Sequence, residues 1–390
     1  MSKYHTRQYN IYNKVTVSHL EYEDMDYQKR LARLQKKLDR KKLDAILISQ
    51  PENRRYLSGY TGGDHGIAET SGVLLALRKG RTFLLTDFRF KLQAEKETSG
   101  VEVMLYPKGL LELLGRLLPD LGVRKLGFES HYTLHSTAVE LKAQLSQKKI
   151  ALSPQSGLIE AMRIIKDEDE IAAIKQSVRL NEKVFEEVYS SFADYKSEIE
   201  VAIAIETAMR RYGAERPSFA TIVATGPNGA LPHAVPGVDK IQKNKSLTID
   251  MGLILDGYCS DMTRNFVPGK ATKRYTKLHR LVRKAQLAGM AGIRAGIRSC
   301  EADKCARSVI AEAGYGKYFG HSLGHGVGLA VHEGPSLSGR SKKKLKAGMI
   351  VTVEPGIYIP GWGGIRLENM GVVREDGFEN FNTNSTWLDI

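Results

Sequence analysis

Two aspartates, Asp250 and Asp261, sit on what reads as two strands of one hairpin. Residues Leu247-Thr248-Ile249-Asp250-Met251-Gly252-Leu253 alternate apolar and polar, the period of a half-buried strand. Asp256-Gly257 then suits a two-residue turn, because both residues tolerate positive φ. That turn sets Asp250 opposite Thr263 and makes Asp261 its diagonal neighbour, about 7–8 Å away at the backbone. Two carboxylates held that close repel unless a cation lies between them. An isolated pair would read as two solvated acids on a surface hairpin.

The pair is not isolated. Phe319–Glu333 sets His321, His325 and His332 among glycines, which let backbone and ligand approach closely. Met349–Gly356 is a β-rich run with Glu354 at its end, just before Pro355-Gly356. In Gly364–Met370, alternation puts Arg366 and Glu368 on one face, a pattern that an exposed edge strand would also show. Two Asp, two Glu and an imidazole suit Mn²⁺, Fe²⁺, Co²⁺ or Zn²⁺ better than a soft-metal thiolate site. Four carboxylates are neutralised by two divalent cations and not by one. The predicted cofactor is therefore two divalent metal ions, manganese foremost, with cobalt, zinc or iron as alternatives.

These motifs resemble those of the pita-bread metallopeptidases, and within them the Xaa-Pro aminopeptidase and prolidase (Xaa-Pro dipeptidase) branch. The resemblance runs from about Tyr27 to the C-terminus and is strongest in the second half. Upstream, Arg54–Gly62 and Leu84–Arg89 look like signatures of the family's N-terminal domain. The ligand positions follow the family order. By resemblance Asp250 is a terminal ligand of one metal, His325 and Glu354 are terminal ligands of the other, and Asp261 and Glu368 bridge the two. Glu354 also becomes the proton shuttle. His233 and His332 hold the scissile carbonyl, His321 lies by the proline end of the substrate, Arg366, next to the last ligand, is a further substrate-binding residue, and Thr263 adjoins the second ligand. The activity implied is hydrolysis of the bond between an N-terminal residue and a following proline, with short proline-containing peptides as substrates. The alternatives are a strict dipeptidase (prolidase) and, from another class, a non-catalytic pita-bread binding protein. A methionine aminopeptidase fits less well, because simple members lack the upstream domain. The two-domain branch also implies a homodimer whose N-terminal domain closes over a neighbour's site, with Arg54, Arg55 and Tyr56 placed to reach into such a cleft.

The rest of the chain must position these groups. At 390 residues it is long enough for two domains, and 42% apolar with 26% charged residues is ordinary for a soluble globular protein. Apolar runs of membrane-spanning length and a secretory-type start are not evident, and three cysteines without metal-knuckle spacing fit a reducing compartment, so the expected location is cytoplasmic. Cys259, between the two aspartates, reads as packing. The net charge of +14 attracts polyanions in general, but no nucleic-acid module accompanies it, so no specific nucleic-acid partner is expected. Basic residues over 28–38 read as the solvated face of a helix striped by Leu31, Leu34 and Leu38. Those over 341–346 read as a lysine-rich loop.

Alternating elements predict an α/β N-terminal domain over 27–155, with helices near 27–41, 88–97, 108–118 and 135–145. Its strands are expected near 44–49, Val73–Leu77, Thr82–Thr86, 101–105 and 125–128. Asp167-Glu168-Asp169-Glu170 supplies the acidic first turn of a long helix towards Tyr189. Helices near 196–211, 273–295 and 300–313, with antiparallel strands carrying the ligands, make 156–390 an α+β catalytic domain. Residues 1–26 are read as an N-terminal extension.

Overall fold

The computed structural model describes residues 26–390, so the segment before Asp26, expected as an extension, lies outside it. The first half is a six-stranded mixed sheet in the order β4-β3-β2-β1-β5-β6. Its strands are β1 (Ala45–Ile48), β2 (Val73–Leu77), β3 (Thr82–Thr86), β4 (Glu102–Leu105), β5 (Lys125–Glu129) and β6 (Ala151–Gln155). Alternate residues of the central strands enter two cores. Ile46, Ile48, Leu74 and Leu84 pack under helix α1 (Tyr27–Arg40), through its stripe of Leu31, Leu34 and Leu38. Ala45, Leu47, Val73, Leu75, Phe83 and Leu85 pack instead under α4 (Leu110–Asp120) and α5 (His135–Gln147). The edge helix α3 (Lys91–Glu97) precedes β4.

In this half β6 and the helix α2 (Pro51–Ser58) lie outside the expectation, and Pro51 starts α2 at a position where its missing N–H is not needed. The solvated-face reading of α1 also needs one correction. Arg30 is buried, reaching Asp167 at 3.3 Å and lying 4.3 Å over the Tyr56 ring. It faces the start of the long helix and not solvent.

After the short α6 (Glu160–Arg163), the second half begins with α7 (Glu168–Ser190), where Asp167 and Glu170 form a reciprocal capping box. Helices α8 (Glu198–Arg211), α9 (Lys273–Gly292) and α10 (Ser299–Glu312) follow. The helices cover antiparallel strands: β7 (Arg216–Pro217), β8 (Ile222–Thr225), β9 (Leu247–Met251), β10 (Leu253–Leu255), β11 (Tyr258–Cys259) and β12 (Met262–Phe266), then β13 (Gly324–Gly326), β14 (Glu333–Leu337) and β15 (Ile350–Val353), and finally β16 (Gly356–Ile359), β17 (Gly363–Arg366), β18 (Asn369–Val373) and β19 (Phe378–Asn380). The lysine-rich segment forms no strand, and Lys342, Lys343, Lys344 and Lys346 are exposed.

Asp256 and Gly257 both take positive φ, Leu255 pairs with Tyr258, and Asp250 pairs with Thr263, as the turn requires. The hairpin nevertheless divides between two sheets, β12-β9-β8 and β11-β10-β7. The division falls at Gly252, where a Cβ would lie 2.1 Å from the Ser260 carbonyl oxygen. β9 is buried on both faces rather than half-buried. Leu247, Ile249 and Met251 face the core under α7 and α8, while the Asp250 face is covered by Arg366. Cys259 is buried among apolar residues, as expected for packing.

Candidate metal centre

Three ligand-type atoms from Asp261, His325 and Glu368 lie within 4.8 Å of one another. Asp261 stands just before β12, His325 is the middle residue of β13, and Glu368 occupies the break between β17 and β18. Glu354 follows β15 and brings Oε1 to 3.4 Å from His325 Nε2, while Asp261 Oδ2 is 3.6 Å from the same nitrogen. The glycines beside His325 make this approach possible. A Cβ on Gly324 would lie 2.0 Å from the Thr352 carbonyl oxygen, and one on Gly326 would lie 2.1 Å from that of Gly334. Asp250 borders the trio without joining it. Its Oδ2 accepts from Arg366 Nη2 at 2.6 Å, and its charge is the largest neighbouring influence on Asp261 after burial.

A hydrogen-bond network holds these groups in place. Arg366 Nε donates to Thr263 Oγ1 at 3.1 Å, and that hydroxyl donates to Glu368 Oε2 at 2.7 Å. Arg366 Nη1 donates to the Tyr358 hydroxyl at 2.7 Å, which lies 2.9 Å from His321 Nε2. His321 Nδ1 donates to the Ser322 carbonyl, so its Nε2 is the acceptor from Tyr358. Arg366, expected as a substrate contact, thus directs all three nitrogens to the protein's own groups and organises Asp250, Thr263 and Tyr358. Thr352 Oγ1 accepts from the His325 N–H and donates to Glu354.

The electrostatics call for cations. Burial, reinforced by repulsion from Asp250 and Glu354 on Asp261 and from Asp261 and Glu354 on Glu368, holds both carboxyls well above the usual carboxylate range. Burial also pushes Glu354 up to about 8 against the pull of Arg366. His325 is pushed down to about 4 by burial and by His332, and so stays a neutral imidazole. Its Nδ1 donates to the Gly326 carbonyl at 3.1 Å, which leaves Nε2 bare between two carboxylate oxygens. Among the described residues, Asp250 Oδ1 and Glu368 Oε1 are buried without a hydrogen-bond partner. Bare acceptors converging in this way fit divalent cations.

The centre opens into a cavity of ≈ 990 Å³, whose wall includes His233, His321, His332, Phe219 and Lys317. The His332 ring meets that of His325 edge to face at 4.4 Å. Burial and the neighbouring His233 push its pKa down. The loop bearing His233 is anchored by Glu198, which accepts from the N–H groups of Thr225 and Gly237 at 2.7 and 3.2 Å and from Asn228 Nδ2 at 2.8 Å. Glu198 and Tyr358 are absent from the sequence-based site. The signal for Tyr358 is its place between Ile357 and Ile359, four residues after Glu354, whereas nothing local marks Glu198.

Arg54, Arg55 and Tyr56 do not line this cavity. Arg54 is fully buried and bonded to Asp64, Ser71 and the Gly62 carbonyl. Tyr56 donates to the Met162 carbonyl, and Arg55 pairs with Glu215 at 2.8 Å across the seam between the halves. Arg55 and Tyr56 tie the two halves together and Arg54 braces the N-terminal half from within, instead of reaching into their own subunit's cleft.

The fold and site together define a metal-dependent hydrolase scaffold, and comparison with known proteins agrees. Residues 172–375 match Metallopeptidase family M24, and residues 30–165 match the Creatinase/Prolidase N-terminal domain. A curated Xaa-Pro dipeptidase of Pyrococcus horikoshii is 34% identical over 340 residues, 87% of this chain and 93% of that protein. The solved Xaa-Pro dipeptidase from Bacillus anthracis superposes with a TM-score of 0.85 at 38% identity, covering 92% of this chain and 98% of that one. The X-Pro aminopeptidase from Thermotoga maritima gives 0.81 at 33%, covering 89% and 98%. The chain belongs to metallopeptidase family M24 and combines an α/β N-terminal domain with an α+β pita-bread catalytic domain.

Proposed function

We propose that this protein hydrolyses the peptide bond between an N-terminal residue and a following proline in short peptides, using two divalent metal ions, with manganese the leading candidate. The observation that most supports this reading is the convergence of Asp261, His325, Glu368 and Glu354 around bare acceptor atoms at the base of a histidine-walled cavity. Asp250, Asp261, His325, Glu354 and Glu368 would hold the metals. Bound there, they would supply Lewis acidity and a water activated near neutral pH.

The chain's own residues do the rest. Glu354, whose carboxyl takes a proton more readily than usual, receives the proton from water and passes it to the leaving proline nitrogen. His332 and His233 face the cavity and donate hydrogen bonds to the carbonyl oxygen as it gains negative charge. His321, fixed by Tyr358, borders the proline end. Arg366 grips Asp250 Oδ2 and so holds that carboxylate beside the centre.

The cavity's size, at the upper end of ordinary ligand pockets, leaves room beyond a dipeptide and favours an aminopeptidase. A strict Xaa-Pro dipeptidase is the second reading, favoured by the curated name of the Pyrococcus relative. Chromatographic assay of Xaa-Pro dipeptides beside Xaa-Pro tripeptides separates the two. Cleavage of both is expected. Cleavage of dipeptides alone selects the second reading, and cleavage of neither, with metal bound, contradicts both. We take residues 27–155 and 156–390 as the working domains.

A further inference from the structure

Among the described residues, no hydrogen bond fixes the His332 ring. Beyond its edge-to-face contact with His325, its placement therefore rests on its backbone. The next residue, Glu333, opens β14, and its side chain lies outside the cavity wall that His332 joins. There it is gripped twice. Arg163 Nη2 donates to Oε2 at 2.6 Å, and Lys166 Nζ donates to Oε1 at 2.5 Å. The three side chains are 3%, 1% and 10% exposed for Arg163, Lys166 and Glu333. Gly328, in the loop before His332, packs directly against this carboxylate, since a Cβ there would lie 2.5 Å from Glu333 Oε1.

The grip is itself anchored. Arg163 Nη1 donates to Asn53 Oδ1 at 2.8 Å, and Asn53 Nδ2 donates to Glu129 Oε1 at 2.6 Å at the end of β5. Lys166 N–H donates to the Gly348 carbonyl at 2.8 Å, at the entry to β15. Removing three charged groups from water costs several kcal/mol per ion, and an apolar trio of similar volume would give comparable stability. Stability alone does not account for the cluster. Separate cations on the two carboxylate oxygens do fix where the carboxylate, and the peptide unit behind it, can sit.

We propose that Glu333, gripped by Arg163 and Lys166, is the positioning residue for His332, and that through Asn53 the N-terminal half of the chain sets this histidine's reach over the metal centre. This rests on the role given to His332 above. The test is a double-mutant cycle on the full chain loaded with Mn²⁺, assayed on an Xaa-Pro dipeptide, with Glu333→Gln, His332→Ala and the pair. Glu333→Gln alone should lower kcat on the order of ten- to a hundredfold, the range expected for a displaced catalytic group, with KM and metal content unchanged. In the His332→Ala background the same change should cost less than about twofold. Equal losses in both backgrounds, or loss of metal, would overturn the positioning role while leaving the proposed function standing. Full activity of His332→Ala would overturn the proposed chemistry itself. Should Glu333→Gln fail to fold, Arg163→Lys keeps both charges and carries the same test: a smaller kcat loss that vanishes without His332 supports the grip, and an additive one refutes it.

Discussion

A single nitrogen, Nε2 of His325, carries much of the case for metal. It is bare because Nδ1 is engaged by the Gly326 carbonyl, and carboxylate oxygens stand 3.4 and 3.6 Å away. Such an arrangement is repulsive until a cation enters. Asp261→Asn and Glu368→Gln should therefore lose metal along with activity, whereas His332→Ala should keep metal and lose ~10²–10³-fold in rate, the size expected for one oxyanion donor. Elemental analysis beside kinetics checks both. A metal-free His332→Ala, or an Asp261→Asn with full metal and rate, would contradict the assignments. At this scale the sequence is informative where residue type and spacing coincide, as for His325 between glycines or Glu354 before Pro355. It is silent on Glu198 and Arg163, whose partners Gly237 and Glu333 lie far along the chain and meet them only in the fold.

At the scale of elements, alternation and the Asp256-Gly257 turn carry the hairpin register, because a one-residue slip would expose Leu247, Ile249 and Met251. The division of that hairpin between sheets depends on Gly252 meeting the Ser260 carbonyl, a tertiary contact without local signature. Helix α2 is too short and too polar to show an apolar stripe. Helix α9 carries a pH-dependent liability. His279 is fully buried, its Nε2 lies 2.9 Å from the Trp387 carbonyl, and burial lowers its pKa from 6.5 to about 4. The unfolded chain then takes up a proton that the native state resists, so stability is present above pH 6.5 and is lost as pH falls towards 4. The loss over that window should be smaller in His279→Gln by on the order of 3 kcal/mol, read from denaturant midpoints at each pH. Identical losses in both proteins would remove His279 as the cause.

Across the whole molecule, the two halves share a core. Leu31, Leu34 and Tyr56 pack in one cluster with Ile254, Tyr258 and Met370. The N-terminal half is thus part of the catalytic scaffold, and its Arg30 and Arg55 serve the seam. Phe88 and Leu92 on that half are exposed, as are Leu231, Val235 and Val238 beside the cavity. These apolar groups support the expected homodimer, and light scattering should report a mass twice that of the 43.4 kDa chain. A mass independent of concentration and equal to one chain would contradict it. No helix among the described residues is long and apolar enough to cross a membrane.

In the proposed mechanism, five side chains hold two divalent ions without which no hydrolysis occurs. Its most direct test is titration of exhaustively chelated protein with Mn²⁺, following bound metal by elemental analysis and Xaa-Pro dipeptide cleavage in the same samples. Activity should be absent at the start, rise with metal, and level off at about two equivalents per chain. Full cleavage by protein from which elemental analysis finds no metal would contradict the proposed metal dependence.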